Sequence, residues 1–447
     1  MKSLIEKFKE VWSIIELRNR ILFTLALLAV YRFGSYIILP GIDKNAMTAA
    51  LGKSGDSDPG LLDLLNTFSG GAFFNGAVFA LGIMPYISAS IIVQLLGFAI
   101  PYFHKLQREG EAGQRKMNQI TRYITIAITM VQGSAYLNYL HAAFPSAISQ
   151  SVGLPVFWLS NIIILTAGTV FCMWIGERIT DKGIGNGISL IITAGIVATL
   201  PQAFWGEFGS KFSSSAGGPV IFVVEIALFI LVVVASVAIV QAVRKIQIKF
   251  AKHALASSNQ INGLDHIPVK LNAAGVMPII FAQAIMFIPG AIAQALGFNA
   301  DPGSFISSLS DFTSFSYNLV FFILVVLFTY VYTALISNPK QYEDYLKNQN
   351  AFIPNVNRGE EAEFIDEVTT RITLPGSIAL AIIAVLPGIA RSFLMIDTNF
   401  AIFFGGTSLL IFVAVVLDTI QQIDGHLSMH GFDGESRNNR RKSLKTT

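Results

Sequence analysis

Ten apolar stretches, each long enough to cross a bilayer, constrain the fold of this 447-residue chain more than any other feature. A membrane-spanning helix needs about 20 predominantly apolar residues, and only helices and closed barrels satisfy every backbone hydrogen bond in hydrocarbon. The alternating segments of about ten residues that build transmembrane barrels do not occur in this sequence. We therefore predict an all-α integral membrane protein. Its spans are predicted at 20–39, 76–100, 120–141, 154–176, 187–205, 218–242, 275–297, 316–337, 372–390 and 399–420.

Charge is scarce along the chain and is unevenly placed. Charged residues make up 13% of the sequence, against about 25% in soluble domains. When the loops are assigned to alternate sides of the spans, 26 of the 31 Lys and Arg residues fall on the side that holds the N-terminus. Because cytoplasmic loops carry the excess of Lys and Arg, both termini are predicted to face the cytoplasm.

The ten spans divide into two sets of five. An odd number of spans per half makes the second half enter the membrane from the opposite side, as in an inverted repeat. The count permits two inverted five-helix halves, which is the fold we predict, although the halves share no convincing sequence identity. An amphipathic helix precedes them, and it lies at the membrane interface or packs on a partner's helix. The predicted divisions are the amphipathic helix at 1–19, the N-terminal half at 20–205, an outer hinge loop at 206–217, the C-terminal half at 218–420 with long cytoplasmic loops at 244–274 and 338–371, and a basic cytoplasmic tail at 421–447.

The residues offer little that could perform catalysis. Cys172 is the single cysteine and lies in the fourth span, and the six His residues are scattered without HExxH or Cys partners, so no metal site is indicated. Gly183 to Gly187 lacks the spacing of a phosphate-binding loop and predicts a tight turn between two spans. Glu225 is an intramembrane acid near the outer end of the sixth span, where its carboxylate can reach the interface. The sequence predicts a protein that is not an enzyme and uses no cofactor.

The region before and within the second span departs from the pattern of a plain transmembrane helix. Leu61–Phe68 is apolar but too short to cross a bilayer, and a Ser-Gly-Gly sequence ends it. The next stretch, Phe79–Ile92, is predicted to be a helix with Pro85 inside it. Irregular backbone at membrane depth is tolerated only where it is buried in protein or lines a cavity. We therefore predict a broken helix that lines a cavity.

Four stretches resemble one known family. They are Phe79–Ile92, Gly176–Ser189, Leu271–Ile285 and Phe403–Ile411, and they occur in both halves of the chain. The sequence is similar, over nearly its whole length, to the SecY/Sec61-alpha family, the channel-forming subunits of the Sec protein translocase. The resemblance implies a protein-conducting channel in the bacterial cytoplasmic (inner) membrane. Such a channel passes unfolded secretory proteins across the membrane and releases transmembrane segments sideways into lipid.

The resemblance also implies site residues. A ring of aliphatic side chains gates a pore by dewetting, and buried amides bond across helix interfaces, as a lateral gate needs. From the residues alone, two other interpretations stay open: the isoleucines face lipid, and the segment from Leu61 to Asn75 is an interfacial helix without a gating role. The implied pore ring is Ile83, Ile87, Ile188, Ile192, Ile280 and Ile411; the implied plug is Leu61, Leu62, Leu64, Leu65, Phe68, Gly70 and Gly71; the implied lateral gate includes Ser88, Gln94 and Gln283.

The long cytoplasmic loops are predicted to bind partners. Basic residues cluster at the start of the first long loop, beyond what orientation alone requires, and the family docks the ribosome or the SecA motor there. In the second loop the family usually carries Arg-Pro-Gly, whereas this chain reads Asn-Arg-Gly, with Arg358 one residue later. The predicted docking residues are Arg244, Lys245, Lys249, Lys252 and Arg358. The implied partners are SecE-like and SecG-like subunits, the SecA motor, the ribosome, unfolded preproteins with their signal peptides, and membrane lipids, with no DNA.

Two other classes of protein are compatible with a polytopic chain. An inverted-repeat secondary transporter would need polar ion- or substrate-binding groups near the midplane, where this sequence has isoleucines. An intramembrane protease would need HExxH, paired intramembrane aspartates or a serine–histidine pair, and the spans contain none of these. The transporter is the alternative to the channel.

Overall fold

The computed structural model describes residues 4–43, 46–47, 61–148, 153–213, 218–250, 265–283, 285–286, 313–394, 396, 398–404 and 406–443. The chain divides into two compact units. Unit 1 comprises Met1–Asp58, Leu62–Gln202 and Val415–Thr447, and unit 2 comprises Pro59–Leu61 and Ala203–Ala414.

Helices make up most of the first half of the chain. In order, they are α1 (Leu4–Ser13), α2 (Ile15–Gly34), α3 (Leu61–Phe68), α4 (Met84–Ala99), α5 (Pro101–Arg108), α6 (Glu111–Ala143), α7 (Leu154–Lys182) and α8 (Gly187–Ser213). The core of unit 1 lies where α6 and α7 pack beside the connection that follows α2. Its buried residues are Leu39, Met47, Phe73, Ala80, Tyr136, Leu137, Leu140, Phe144, Ala147, Phe157 and Leu165.

The prediction of a helix across Phe79–Ile92 is correct only from Met84 onward. Turns occupy the chain from Ser69 to Ile83, and α4 begins at Met84, which places Pro85 in its first turn. Proline suits that position because its missing N–H would have no helical partner there and its fixed φ is already helical. Gly82, with φ of +53°, helps the chain turn just before the helix. The predicted break is therefore real, but it lies ahead of the proline.

α6 packs through a face of small residues. Thr121, Thr125 and Thr129 are buried, and each hydroxyl donates to the carbonyl four residues earlier, at 2.7–2.9 Å. This back-bonding satisfies the hydroxyls inside their own helix. The face can therefore pack against its neighbours α4 and α7 without needing polar partners from them.

The second half of the chain contains helices and a small sheet. The helices are α9 (Gly218–Gln241), α10 (Phe315–Ile336), α11 (Pro339–Asn348), α12 (Glu361–Leu394), α13 (Thr398–Ala401) and α14 (Gly406–Ser443); residues 277–283 and 285–286 are also helical. The strands are β1 (Val243–Phe250), β2 (Asp265–Lys270) and β3 (Ala351–Phe352). They form an antiparallel sheet of order β2-β1-β3, with Val243 opposite Lys270 and Lys249 opposite Phe352.

This sheet was missed in the sequence, where residues 244–274 and 338–371 were predicted as long loops. The described residues of these two segments instead form one structure, which we call the sheet subdomain: the three strands, α11 and the first turns of α12. Ile246 and Ile248 alternate with exposed residues on β1, which is the pattern of a half-buried strand. Its core, within unit 2, consists of Ile246, Ile248, Ile267, Leu346, Ala351, Ile353 and Ile365.

Among the described residues, six helices are long and apolar enough to span a membrane: α7, α8, α9, α10, α12 and α14. A seventh arises if α4 and α5, which are bent by 101° at their junction, are counted as one span. About half of the predicted seventh span, 275–297, lies outside the described residues. The count of ten stays a prediction.

Two predicted boundaries differ from the structure. Residues 206–217 were predicted as a hinge loop, but α8 continues to Ser213. Residues 421–447 were predicted as a separate tail, but α14 runs to Ser443. The boundary between the two units falls within α8, next to Pro201, which cannot donate a helical hydrogen bond.

Glu225 has a buried cationic partner. It is fully buried in unit 2, and its carboxylate lies 3.0 Å from Lys211 Nζ. Lys211, 3% exposed, also lies 3.4 Å from the carboxylate of Glu207, one helical turn earlier on α8. One cation between two acids therefore links α8 to α9. Buried charges are tolerated only when they are paired in this way, so the acid has a structural partner that the sequence did not reveal.

Candidate functional site

The short helix α3 ends in a tight glycine turn. Gly71 N donates to Asn66 O at 2.8 Å and Gly70 N donates to Thr67 O at 3.1 Å, while Gly70 has φ of +65°. This is the Schellman pattern, in which a residue in the left-handed region lets the last carbonyls of a helix find donors. We call Ser69, Gly70 and Gly71 the plug joint. The predicted Gly-Gly joint thus has a specific conformation that glycine adopts without strain.

Side-chain bonds tie α3 to the turns that follow it. Ser69 Oγ accepts from Phe73 N at 3.0 Å and donates to Asn66 O at 3.0 Å. Asn66 Oδ1 accepts from Phe74 N at 3.1 Å. Among the predicted plug residues, Phe68 and Gly70 are buried, and Leu65 and Gly71 are half-buried. The side chains of the other three, Leu61, Leu62 and Leu64, lie outside the described part of the structure.

Four predicted pore residues belong to unit 1. Ile83 is the residue just before α4 and Ile87 is one turn into it, and both are buried. On α8, Ile192 is buried and Ile188 is half-buried. Ile188 packs against the neighbouring helix α7 at Gly176. A Cβ added at Gly176 would lie 3.1 Å from Ile188 Cγ1.

The other two predicted pore residues belong to unit 2. Ile411 is buried on α14 and Ile280 is half-buried in the helical segment 277–283. The ring of six isoleucines stays a prediction.

The predicted lateral-gate residues also fall in both units. Ser88 and Gln94 are half-buried on α4, and Gln283 of unit 2 is buried. Gln94 Nε2 donates to Ser90 Oγ, one turn earlier on the same helix, at 3.3 Å. This amide therefore has a partner within its own helix.

The turn between α7 and α8 is held by three other parts of unit 1. Ile184 N donates to Thr24 Oγ1 of α2 at 3.1 Å, Gly185 N to Gln422 Oε1 of α14 at 2.9 Å, and Gly187 N to Thr180 Oγ1 of α7 at 2.9 Å. The predicted tight turn is confirmed. The partners from α2 and α14 were not predicted. Thr24 lies 160 positions from Ile184 and Gln422 lies 237 positions from Gly185, so no local sequence pattern indicates these contacts.

The start of α8 did carry a local signal. Asn186 Oδ1 accepts from Ile188 N at 3.1 Å and from Ser189 N at 3.3 Å, so Asn186 caps the helix that carries Ile188 and Ile192. At Gly187 a Cβ would lie 2.0 Å from Gly176 O. Glycine at this position therefore allows α7 and α8 to approach closely.

The predicted docking residues lie on the sheet subdomain of unit 2. Arg244, Lys245 and Lys249 are exposed on β1, and Arg358 is exposed in the turn before α12. Lys252 lies outside the described residues. On α11, Glu343 accepts a hydrogen bond from Lys347 Nζ and thereby raises the pKa of the Lys347 ammonium.

The fold and these elements define a polytopic helical membrane protein with a short helix and a glycine joint ahead of a broken span. The sequence profile of the SecY family matches residues 77–420. The chain is 37% identical to the protein translocase subunit SecY of Chlamydia muridarum, over 98% of this chain and 99% of that one. It is 38% identical to the subunit of the same name from Bacillus subtilis, over 95% of this chain and 97% of that one.

Solved structures agree with the sequence comparison. A protein-conducting channel superposes with a TM-score of 0.64 at 18% identity, covering 90% of this chain and 91% of that one. A SecY structure in which the plug domain stabilises the closed state and maintains the membrane seal superposes with a TM-score of 0.61 at 18% sequence identity. The match covers 90% of this chain and 91% of that one. Sec61 from the canine ribosome–channel complex superposes with a TM-score of 0.61 at 17% sequence identity, covering 90% of this chain and 91% of that one.

The chain belongs to the SecY family. The predicted family and the predicted helical membrane fold are confirmed. The alternative of an inverted-repeat transporter is not supported.

Proposed function

We propose that this chain is the protein-conducting channel of a Sec translocon. The observation that carries the proposal is the arrangement within unit 1: the short helix α3, its glycine joint and, directly after the turns, the buried Ile83 and Ile87 at the start of α4. In this arrangement α3 is the plug, and the isoleucines belong to an apolar constriction that excludes hydrated ions by dewetting. Aliphatic side chains offer a passing chain no directional bonds, so any sequence can slide through.

The channel also releases apolar segments sideways into lipid. Ser88 and Gln94 on α4 and Gln283 in unit 2 are the proposed gate residues. A segment rich in Leu, Ile, Phe and Val gains a few tenths of a kcal/mol per residue in the membrane. Release is therefore a partitioning step, and the gate only has to give each segment access to lipid.

The sheet subdomain is the proposed docking surface for cytoplasmic partners. Its exposed Arg244, Lys245 and Lys249 suit RNA phosphates or an acidic protein surface, which is how the SecA motor or a ribosome would bind. This assignment places both termini in the cytoplasm and the chain in the bacterial cytoplasmic membrane, in agreement with the distribution of Lys and Arg. SecE-like and SecG-like subunits would complete the complex.

Purified protein in liposomes tests the proposal. A closed translocon should hold an ion gradient at rest and lose it when a signal peptide or the SecA motor with a preprotein is added. A transporter would instead move a small solute down its gradient without either addition. Solute transport with no response to signal peptides would contradict the channel.

A further inference from the structure

The plug joint is held from one side by the last turns of α2. Arg32 Nη1 donates to Gly70 O at 2.9 Å, and the hydroxyl of the fully buried Tyr31 lies 3.5 Å from Ser69 O. The Arg32 guanidinium is itself fixed, because its Nη2 donates to Tyr36 Oη at 3.1 Å and its Cζ lies 5.4 Å from the centre of the Tyr36 ring. A positioned cation thus bonds the backbone of the joint.

The joint is held from the other side by Gly195 of α8. A Cβ at Gly195 would lie 2.3 Å from Phe68 O and 3.1 Å from Gly70 N. A Cβ at Gly70 would lie 2.3 Å from Arg32 Nη1 and 3.0 Å from Gly195 Cα. Backbone meets backbone here, so neither glycine can be enlarged without moving the joint.

The Arg32 guanidinium lies at the carbonyl end of α3, where a positive charge is stabilising. The carbonyl end of a helix carries partial negative charge and attracts cations. No basic residue lies in the last turn of α3 itself, so Arg32 supplies the cation from another helix. Hydrogen bonds with a charged donor are about twice as strong as neutral ones, whereas the Gly195 contact supplies shape and no bond.

We propose that Arg32 and Gly195 form a latch that holds the plug joint in its resting position. This inference rests on the proposed function, since it assigns positioning residues to the plug. When the plug moves out of its resting position, the Arg32 guanidinium keeps the hydroxyl and the ring of Tyr36 as partners. Breaking the hydrogen bond to Gly70 O therefore does not leave the guanidinium without a partner. The latch therefore favours the closed state and still permits opening.

The test uses the full chain, with its small subunits, in lipid vesicles. Two variants attack the latch from opposite sides: Arg32→Met removes the cation, and Gly195→Ala forces the joint away. Gly209→Ala is the matched control, because the same substitution on α8 has nothing within 4 Å. Resting ion flux reports the seal. Labelling of a Thr67→Cys reporter, in a Cys172→Ser background, by an impermeant maleimide reports the plug position.

We expect Arg32→Met to raise resting flux and reporter labelling by roughly tenfold to a hundredfold, the range of one net hydrogen bond to a charged group. Gly195→Ala should raise both readouts as well, because its Cβ would lie 2.3 Å from Phe68 O and displace the joint. Gly209→Ala should change neither readout. Arg32→Lys keeps the charge but loses the fork of donors, and should recover part of the closed state. Unchanged thermal unfolding would separate plug release from general loss of structure.

A variant lacking residues 61–68 separates the latch from the function on which it rests. If that deletion leaks while folded Arg32→Met and Gly195→Ala stay tight and unlabelled, the latch is wrong and the channel stands. If Arg32→Met does not fold, Arg32→Lys and Gly195→Ala decide by the same two readouts. If neither the deletion nor a signal peptide produces flux, the proposed function fails and the latch fails with it.

Discussion

Removing Lys211 should destabilise unit 2 more than removing any exposed basic residue of the described chain. Lys211 Nζ lies 3.0 Å from the carboxylate of Glu225 and 3.4 Å from that of Glu207, with the three side chains between 0% and 3% exposed. At an effective dielectric constant of about 20, one unit-charge pair at 3.0 Å attracts by about 5.5 kcal/mol before desolvation is subtracted. Breaking a buried pair by deleting one partner costs about 3–5 kcal/mol in practice.

We therefore expect Lys211→Met to lower the free energy of unfolding by about 3–5 kcal/mol, because it takes the cation from between two buried carboxylates. Glu225→Gln should cost less, since Lys211 keeps the carboxylate of Glu207. The matched control is Arg115→Met, which breaks a pair with Glu111 whose side chains are 77% and 83% exposed. Exposed pairs of this helical spacing are worth about 0.3–0.5 kcal/mol.

Denaturant titration of the purified protein in mixed micelles, followed by tryptophan fluorescence, gives the three free energies. The predicted order of loss is Lys211→Met, then Glu225→Gln, then Arg115→Met. A loss for Lys211→Met within 0.5 kcal/mol of the control would refute the reasoning, and so would a larger loss for Glu225→Gln than for Lys211→Met.

Three further predictions concern the channel. Ile87→Ser should open a resting ion leak in liposomes by wetting the constriction, whereas Ile92→Ser, on the exposed face of the same helix, should not; equal conductance in both would place Ile87 against lipid. Lys249→Glu should weaken ribosome binding and lower the salt slope by about one, with the exposed Lys116→Glu as the control of equal charge change; identical binding curves would remove Lys249 from the docking surface. A Thr447→Cys variant should resist impermeant maleimide added to intact cells, and rapid labelling from outside would reverse the predicted topology.

The sequence predicted the long apolar helices well. The spans predicted at 154–176, 187–205 and 218–242 correspond to α7, α8 and α9, each starting at or within one residue of its predicted position. A run of about 20 apolar residues specifies a helix by itself, because a chain in lipid must satisfy its backbone hydrogen bonds locally. Helix ends were less certain: α8 and α14 run on into polar residues, where hydropathy carries no signal.

The sheet subdomain was missed although its signal was present. β1 alternates buried Ile246 and Ile248 with exposed residues, but the basic residues around them led to a prediction of a solvated loop. Its core is completed by Leu346 and Ile365, about a hundred residues later in the chain. Pairing between such distant segments depends on packing that a local window does not contain.

The amino-acid sequence by itself determined the membrane class, the family, the positions of most spans and the break before α4, because each depends on a local run, a spacing or a motif. Only the tertiary structure decided which polar groups meet: Lys211 with Glu225, Gln422 with the turn at Gly185, and Arg32 with the carbonyl of Gly70. The physical reason is range. Hydrophobic periodicity acts over a few residues, whereas a buried charge or an unpaired backbone donor is satisfied by whichever group the folded chain brings within about 3 Å.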